Sequence, residues 1–296
     1  MKNIVITGSS GRIGRALYWQ LSQHYEVTGI DTSASSSTNT IADIRDLEQL
    51  KQHFEGVDTV FHAAALHAPH VGLFTEKEFY EINVHATESI CKAALEAGVS
   101  QVIFTSTTAL YGYANQEEGK AVWVNEQTTP KPRTIYHETK LEAERVLKTY
   151  AGNRLKVSVM RMSRCFPEPA PMMAVYRLHR GVDYRDVANA HVLAGQLETQ
   201  KAFDVFVVSG NSPFHPSDCT DLFEDAASVI QEKYPLLGQV FKERGWQLPS
   251  SIDRVYDASY CQEMLGWRAE RGPMEVIEQY DRKDFEVLPP LKENNR

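Results

Sequence analysis

A glycine-rich turn between an apolar strand and a helix most constrains what this chain can fold into. Gly8, Gly11 and Gly14 follow the apolar stretch 2–7 and precede a helical pattern at 15–24. In that setting backbone N–H groups can approach a pyrophosphate, which then lies at the positive end of the helix dipole. The spacing therefore predicts a dinucleotide-binding turn, although a tight turn between any strand and helix has the same pattern.

A second motif lies far downstream, on a helix predicted at 136–150. Tyr136 and Lys140 are separated by four positions, so both side chains project from one face of that helix. There an ammonium group can lower the pKa of a phenol and make it a usable acid or base near neutral pH. The alternatives are a core-edge tyrosine and a solvated helix lysine. The order of the two motifs along the chain favours the chemical interpretation.

The pattern between and around these motifs alternates strand and helix. Such a succession predicts a parallel sheet covered on both faces, an α/β fold of the Rossmann-type doubly wound kind. We expect residues 1–166 and 181–210 to form the dinucleotide-binding core, and residues 167–180 and 211–296 a smaller, mostly helical substrate lobe. The predicted strands after the first are 25–30, 58–62, 101–105, 157–160 and 203–208, and the central helix is 76–97.

Composition excludes several classes of partner. The net charge of −8 over 296 residues argues against nucleic acid or an anionic membrane surface, since both attract basic faces. Apolar runs are too short to span a bilayer, and the first strand leaves no room for a signal peptide, which predicts a cytoplasmic protein. The four cysteines are far apart without Cys-x-x-Cys spacing, which favours reduced thiols and no metal site.

Asp31, at the end of the second predicted strand, bears on the choice of cofactor. A carboxylate there can accept hydrogen bonds from the adenosine ribose and repels a 2′-phosphate, so it favours NAD over NADP. Arg12 is a complication, because its guanidinium could bind either the pyrophosphate or a 2′-phosphate. An ordinary loop aspartate remains the alternative for Asp31. The Ser/Thr-rich segment 32–40 that follows is expected to be a mobile surface connection.

Further short stretches occur in a fixed order along the chain. They are Asp43-Ile44-Arg45-Asp46, His62-Ala63-Ala64-Ala65, Asn83 within 82–84, the Thr- and Ser-rich strand end at 104–112, 182–188 and 265–267. With the two motifs above, this set resembles the extended short-chain dehydrogenase/reductases, the family that includes the nucleotide-sugar epimerases. The resemblance covers nearly the whole chain.

The resemblance implies an NAD-dependent enzyme with a Thr107, Tyr136, Lys140 triad. Thr107 and Tyr136 would hydrogen-bond the reacting oxygen, while Lys140 would bind the nicotinamide ribose and stabilise tyrosinate. It also implies a homodimer through a four-helix bundle of 76–97 and 136–150. The implied cofactor-binding residues are Gly8, Ser10, Gly11, Arg12, Ile13, Gly14, Asp31, Asp43, Ile44, Ala63, Ala64, Ala65, Asn83, Thr105, Tyr136 and Lys140.

Departures from the family pattern narrow the range of expected substrates and reactions. Thr108 and Ala109 stand where the dehydratases carry acidic residues after the catalytic threonine, so elimination is disfavoured. The connection from Arg161 to Asp186 is short and Pro-rich, which leaves little protein to hold a nucleotide and favours a smaller molecule. Candidate substrate residues are Thr108, His67, Arg164 and Arg177, although solvated surface arginines are an equal alternative. Phe214, His215, Arg244, Trp246 and Arg254 could supply part of a nucleotide pocket.

Three functions are compatible with these residues. The preferred one is an NAD-dependent oxidoreductase in sugar metabolism that acts on a sugar-like or other small secondary alcohol or carbonyl. The alternative is a nucleotide-sugar 4-epimerase, which retains its NAD. A non-enzymatic dinucleotide sensor is disfavoured because Thr107, Tyr136 and Lys140 are all present. His62 is expected to be a packed strand-end histidine rather than a base or a ligand.

Overall fold

The strands come together in one large parallel sheet. The computed structural model describes residues 1–114, 119–152, 154–198 and 201–291. Seven strands pair in the order β3-β2-β1-β4-β5-β7-β8, all parallel, and β6 pairs with β9 in a separate small sheet. The strands are β1 (Asn3–Thr7), β2 (Glu26–Asp31), β3 (Thr40–Ile41), β4 (Thr59–His62), β5 (Gln101–Thr107), β6 (Val122–Val124), β7 (Lys156–Met162), β8 (Phe203–Val208) and β9 (Arg254–Tyr256).

The strand order reverses direction between β1 and β4, which creates the crevice where such sheets bind ligands. Helices cover both faces, as expected for parallel strands with crossover connections. They are α1 (Arg12–Leu21), α2 (Leu47–His53), α3 (Glu76–Tyr80), α4 (Ala86–Ala97), α5 (Ile135–Tyr150), α6 (Ala170–His179), α7 (Tyr184–Gln196), α8 (Cys219–Glu224), α9 (Ala226–Lys233), α10 (Pro235–Arg244), α11 (Ser259–Leu265) and α12 (Pro273–Asp281).

Separate apolar clusters fill the two faces of the sheet. One joins the sheet to α2, α4 and α5, and the other joins it to α1, α7 and α11. Leu147 of α5 belongs to the first cluster, so this side chain is part of the core. A third cluster lies away from the sheet and combines α6 with α8, α9, α10 and α12. This third core gives the helical C-terminal lobe an interior of its own.

The alternating pattern located six of the seven strands of the large sheet, with bounds shifted by a few residues, but it missed the short strand β3 and the two strands of the small sheet. The helix predicted at 76–97 is interrupted by a π-helical turn at Glu81–His85, between α3 and α4. Residues 32–40 also differ from the expected mobile connection. The buried Ser37 hydroxyl donates to the Ser9 carbonyl at 2.7 Å, and the Ser9 and Thr38 hydroxyls are 3.0 Å apart. The segment is therefore packed onto the glycine turn.

A buried ion pair joins α5 to β7, the strand next to the edge strand β8. Arg161 on β7 donates to Glu144 on α5, with an Nη2–Oε2 distance of 2.6 Å, and both side chains are buried. The Ser106 hydroxyl of β5 donates to the same carboxylate. Because a buried charge without its partner is costly, this pair fixes α5 in position against β5 and β7.

We expect Glu144→Ala to lower the free energy of unfolding by about 3–5 kcal/mol, because it leaves the Arg161 guanidinium buried and unpaired. Denaturant unfolding of the purified variant measures the change. Glu142→Ala is the matched control, since Glu142 lies on the same helix and pairs with Arg145 at an exposed site. That control should cost less than about 1 kcal/mol. Equal losses in the two variants would contradict this role for the pair.

Candidate active site

The glycine turn is built so tightly that side chains are excluded. Gly8 has a φ of 75°, and a Cβ on it would come within 2.5 Å of the Ala64 nitrogen. A Cβ on Gly14 would collide with the Gly8 carbonyl. The N-cap of α1 is Gly11, which has no side chain to cap the helix, and the first turn carries no acidic residue. The first N–H groups of α1 are thus free to receive a phosphate, and this cradle fits a dinucleotide.

Asp31 lies where the sequence predicted it, at the carboxyl end of β2 beside the turn. Its carboxylate accepts from the Ser10 N–H at 3.0 Å and from the Ser33 N–H at 2.9 Å. The side chain is therefore oriented by the two loops that would enclose an adenosine ribose. This arrangement favours a ribose hydroxyl over a phosphate, because a 2′-phosphate would add negative charge beside a fixed carboxylate.

The side chain of Arg12 is already engaged by protein groups. Its guanidinium lies 4.8 Å from the centre of the Tyr184 ring and forms an ion pair with Glu286. In this structure Arg12 is therefore held by a carboxylate and an aromatic ring, and a contact between Arg12 and a phosphate stays a prediction. Glu286 lies near the end of the C-terminal lobe, and the sequence offered no signal that these two residues meet.

The residues expected around the adenine follow β3 and β4. Asp43 is paired with Arg45, which lowers the pKa of the Asp43 carboxyl. Ile44 is buried in the core beside it. Ala63, Ala64 and Ala65 are partly buried, and the Ala63 N–H donates to the Thr7 carbonyl at 3.0 Å. The side chains that follow the carboxyl end of β4, next to the glycine turn, are therefore all small.

The predicted acid/base group lies at the start of α5. Thr134 caps this helix by accepting from the His137 N–H, which places Tyr136 in its first turn. The Thr107 hydroxyl, at the end of β5, hydrogen-bonds the Tyr136 phenol. Burial raises the pKa of Tyr136 to about 12, and the Thr107 hydrogen bond opposes this rise. The structure therefore brings Thr107 and Tyr136 together, but the expected lowering of the phenol pKa is not seen in this arrangement.

Lys140 is only 2% exposed. Its ammonium donates to the Thr105 carbonyl at 2.7 Å and lies 3.8 Å from the centre of the Phe104 ring. Burial lowers the pKa of Lys140 to about 7, although the nearby Glu144 carboxylate acts in the opposite direction. The solvated-lysine alternative is therefore wrong. Thr105 takes part through its carbonyl, because its hydroxyl is 2.9 Å from His191.

Asn83 connects the loop after β4 to the helix that carries Tyr136. Its amide accepts from the Leu66 N–H at 2.8 Å, donates to the Leu66 carbonyl at 2.9 Å, and donates to the Thr139 hydroxyl at 3.1 Å. The π-helical turn allows this side chain to reach both elements, and π-turns often mark functional positions. Asn83 thus holds the loop after β4 against α5, beside Lys140.

The candidate substrate residues are not equivalent. His67 stacks on His70 with ring centres 4.3 Å apart and lies 5.7 Å from the Phe166 ring. Thr108 is buried directly after Thr107. Arg164 is paired with Glu168. Arg177 is buried against Asp183 at 3.1 Å, so a solvated surface arginine is the wrong description for it.

Cys165 was missed as a site residue. It lies near enough to Tyr136 to act on the pKa of the phenol, and burial raises the pKa of its own thiol to about 11. His62 is a packed histidine, with Nδ1 2.8 Å from the Thr7 hydroxyl and Nε2 3.0 Å from the Thr87 hydroxyl.

Among the described residues, no group of three or more His, Cys, Asp or Glu side chains could hold a metal ion. No helix in that part of the chain is long and apolar enough to cross a membrane.

The fold is the α/β fold with a parallel sheet that the sequence predicted from its resemblance to the extended short-chain dehydrogenase/reductases. It belongs to the NAD dependent epimerase/dehydratase family, whose model matches residues 4–173. It is 29% identical over 173 residues to an L-arabinose 1-dehydrogenase (NAD(P)(+)) of Haloferax volcanii, covering 55% of this chain and 66% of that protein. It is also 31% identical over 153 residues to a UDP-glucose 4-epimerase of Halalkalibacterium halodurans, covering 48% and 44%.

Solved structures share the fold over nearly the full chain. A short-chain dehydrogenase/reductase superfamily protein from Agrobacterium tumefaciens with bound NAD has a TM-score of 0.68 and 20% identity, covering 95% of this chain and 97% of that one. A UDP-glucose 4-epimerase from Thermotoga maritima with UDP-glucose also has a TM-score of 0.68, with 19% identity and coverage of 95% and 99%. The curated sequence relatives above are matched over less than two thirds of their own length.

The pKa of Lys140 predicts a pH dependence of stability. An unfolded lysine keeps its proton up to about pH 10.4, whereas burial lowers the folded pKa to about 7. Above that pH the unfolded state binds more protons, so the contribution of Lys140 makes the free energy of unfolding rise with pH. We expect Lys140→Met to remove this rise between about pH 7 and about pH 8.5, below the range where thiols ionise. Urea unfolding of both proteins measures it, and identical slopes would contradict the buried-lysine assignment.

Proposed function

We propose that this protein is an NAD-dependent oxidoreductase that acts on a free sugar or a similarly small secondary alcohol. The observation that carries the proposal is the meeting of the Thr107 hydroxyl and the Tyr136 phenol on the helix that also buries Lys140. These groups follow β5, two strands from the glycine turn after β1. The edge of the sheet where the parallel strands end therefore combines the glycine turn, which fits a dinucleotide, with an acid/base pair.

In the proposed reaction the bound nicotinamide ring supplies hydride-transfer chemistry. Thr107 and Tyr136 orient the substrate hydroxyl by hydrogen bonds, and Tyr136, acting as the tyrosinate, takes the hydroxyl proton in the oxidative direction. Lys140, one helical turn further on, donates to the Thr105 carbonyl and keeps further N–H donors for the ribose and the phenol. A positive charge on Lys140 would stabilise tyrosinate through the low-dielectric site, against the burial that raises the pKa of Tyr136 to about 12.

Two features support a small substrate over a nucleotide sugar. First, the guanidinium groups suggested for a diphosphate are already engaged, because Arg244 pairs with Asp281 and Arg254 pairs with Asp253. Second, Phe214 is buried in the core of the C-terminal lobe and offers no free ring for base stacking. The similarity to an L-arabinose 1-dehydrogenase agrees with a free sugar. We propose that the sugar binds between the sheet and the substrate lobe, 167–180 and 211–296.

The preference for NAD over NADP rests on Asp31 and the segment after it. That segment, residues 32–40, contains no lysine or arginine to bind a 2′-phosphate, and Asp31 is fixed by two backbone N–H groups. Arg12, the one cation considered for a phosphate, is paired with Glu286. A cytoplasmic homodimer through the α3–α4 segment and α5 remains part of this proposal.

A nucleotide-sugar 4-epimerase is the second candidate, favoured by the similarity to a UDP-glucose 4-epimerase. It would use the same Thr107 and Tyr136 but needs a diphosphate pocket. The two candidates differ in cofactor behaviour, because a dehydrogenase releases reduced NAD and an epimerase shows no net redox change.

We expect the purified protein to reduce added NAD with free aldoses or their acids as substrates, and NADP to be used less well. Tyr136→Phe should lower turnover by about 10²–10⁴-fold, since it removes the acid/base hydroxyl, while the dissociation constant for NAD changes less than about twofold. Absorbance of the reduced nicotinamide measures the first quantity and calorimetry the second. Tyr150→Phe, on the same helix with its hydroxyl on Glu88, is the control and should keep full turnover. Near wild-type turnover by Tyr136→Phe would refute the mechanism.

We expect UDP, dTDP and GDP to bind the NAD-loaded protein with dissociation constants in the millimolar range, about 4 kcal/mol of binding free energy. The reason is that Arg244 and Arg254, the guanidinium groups suggested for the two phosphates, are already paired with carboxylates. Isothermal titration calorimetry measures each constant, with free NAD as the positive control on the cofactor-free protein. Micromolar affinity for one of the three would favour the epimerase instead.

A further inference from the structure

A segment of the C-terminal lobe reaches back across the molecule to the glycine turn. We name residues 284–288 the C-terminal strap. The Leu288 N–H donates to the Glu168 carbonyl at 3.0 Å, and the Ala170 N–H donates to the Leu288 carbonyl at 2.9 Å. Val287 is buried in the lobe core. The strap is thus held firmly along the bend that follows β7.

Just before those anchors the strap places one carboxylate beside the first residue of α1. Glu286 forms an ion pair with Arg12, whose guanidinium also lies over the Tyr184 ring. The two paired side chains are only 20% and 11% exposed, so solvent screens the pair weakly. Arg12 is the first residue of α1, and its guanidinium is therefore held within one side-chain length of the N–H groups that face the pyrophosphate.

The start of α1 is suited to an anion, so the Glu286 carboxylate stands in surroundings that also favour a phosphate. A pyrophosphate brought to the turn would add negative charge near Glu286. Arg12 is the cation paired with Glu286, and its single positive charge can neutralise only one of the two anions fully. The Glu286 carboxylate and the phosphates would therefore compete for the positive charge of Arg12.

We propose that Glu286 is a positioning residue that competes with the cofactor's pyrophosphate for Arg12. By holding this cation, the strap weakens dinucleotide binding and lets NAD and NADH exchange between turnovers. The inference rests on the proposed function only in requiring that NAD binds at the glycine turn.

The test measures the binding of NAD to cofactor-free protein by calorimetry at fixed ionic strength. We expect Glu286→Gln, which keeps the shape of the side chain, to bind NAD about fivefold more tightly because it frees one partly buried charge. Its affinity should also fall more steeply with salt. Arg12→Gln should bind NAD about fivefold more weakly by the same reasoning. An affinity unchanged or weakened in Glu286→Gln, or unchanged in Arg12→Gln, would overturn the proposal.

The matched control is Glu275→Gln. Glu275 belongs to the same lobe and pairs with Arg185 at 2.8 Å, with similar burial, but it does not contact the turn. Its NAD affinity should equal that of the unaltered protein, and tightening equal to that of Glu286→Gln would refute a specific role for the strap. Failure of the unaltered protein to bind NAD would refute the proposed function, and this inference with it. Normal binding with no effect of Glu286→Gln would refute the inference alone.

Discussion

The hydrogen bond from the Lys140 ammonium to the Thr105 carbonyl is the contact on which the site depends. It ties the middle of α5 to the end of β5, so Tyr136 and Thr107 must face each other. Keeping a cation in that place is costly, and burial lowers the pKa of Lys140 to about 7. The aromatic face of Phe104 and the Glu144 carboxylate offset part of that cost. Structure and chemistry therefore use the same lysine.

The residues of the candidate site could be predicted from the sequence, because they occur in motifs with short local spacings. Gly8, Gly11 and Gly14 occur where a strand meets a helix, and Tyr136 and Lys140 lie one helical turn apart. Parallel strands then bring the ends of β1, β4 and β5 to one edge, so local motifs become a site without any knowledge of long-range contacts. The Rossmann-type fold and the family assignment follow from the same facts.

Other contacts of the fold and of the candidate site could not be predicted, because they join residues that are remote in sequence. No local pattern pairs Arg12 with Glu286, or Arg161 with Glu144. The π-helical turn around Asn83 is set by tertiary hydrogen bonds to Leu66 and Thr139, whereas helix propensity favours an unbroken helix there. The Ser/Thr-rich segment 32–40 was misjudged for the same reason. Its hydroxyls are polar, yet they bond to one another and to the glycine turn.

The bend after β7 has a consequence for how the molecule opens. Cys165 belongs to the core beside the sheet, and Ala170, a few residues later, belongs to the separate core of the C-terminal lobe. A chain with two interiors joined through such a bend can lose one before the other, so its unfolding need not be a single cooperative transition. Opening of the lobe alone would detach the strap and uncover the bend while the sheet and its glycine turn stay folded. A heat-melted lobe would then leave the sheet with its glycine turn but without the lobe that we propose as the substrate lobe.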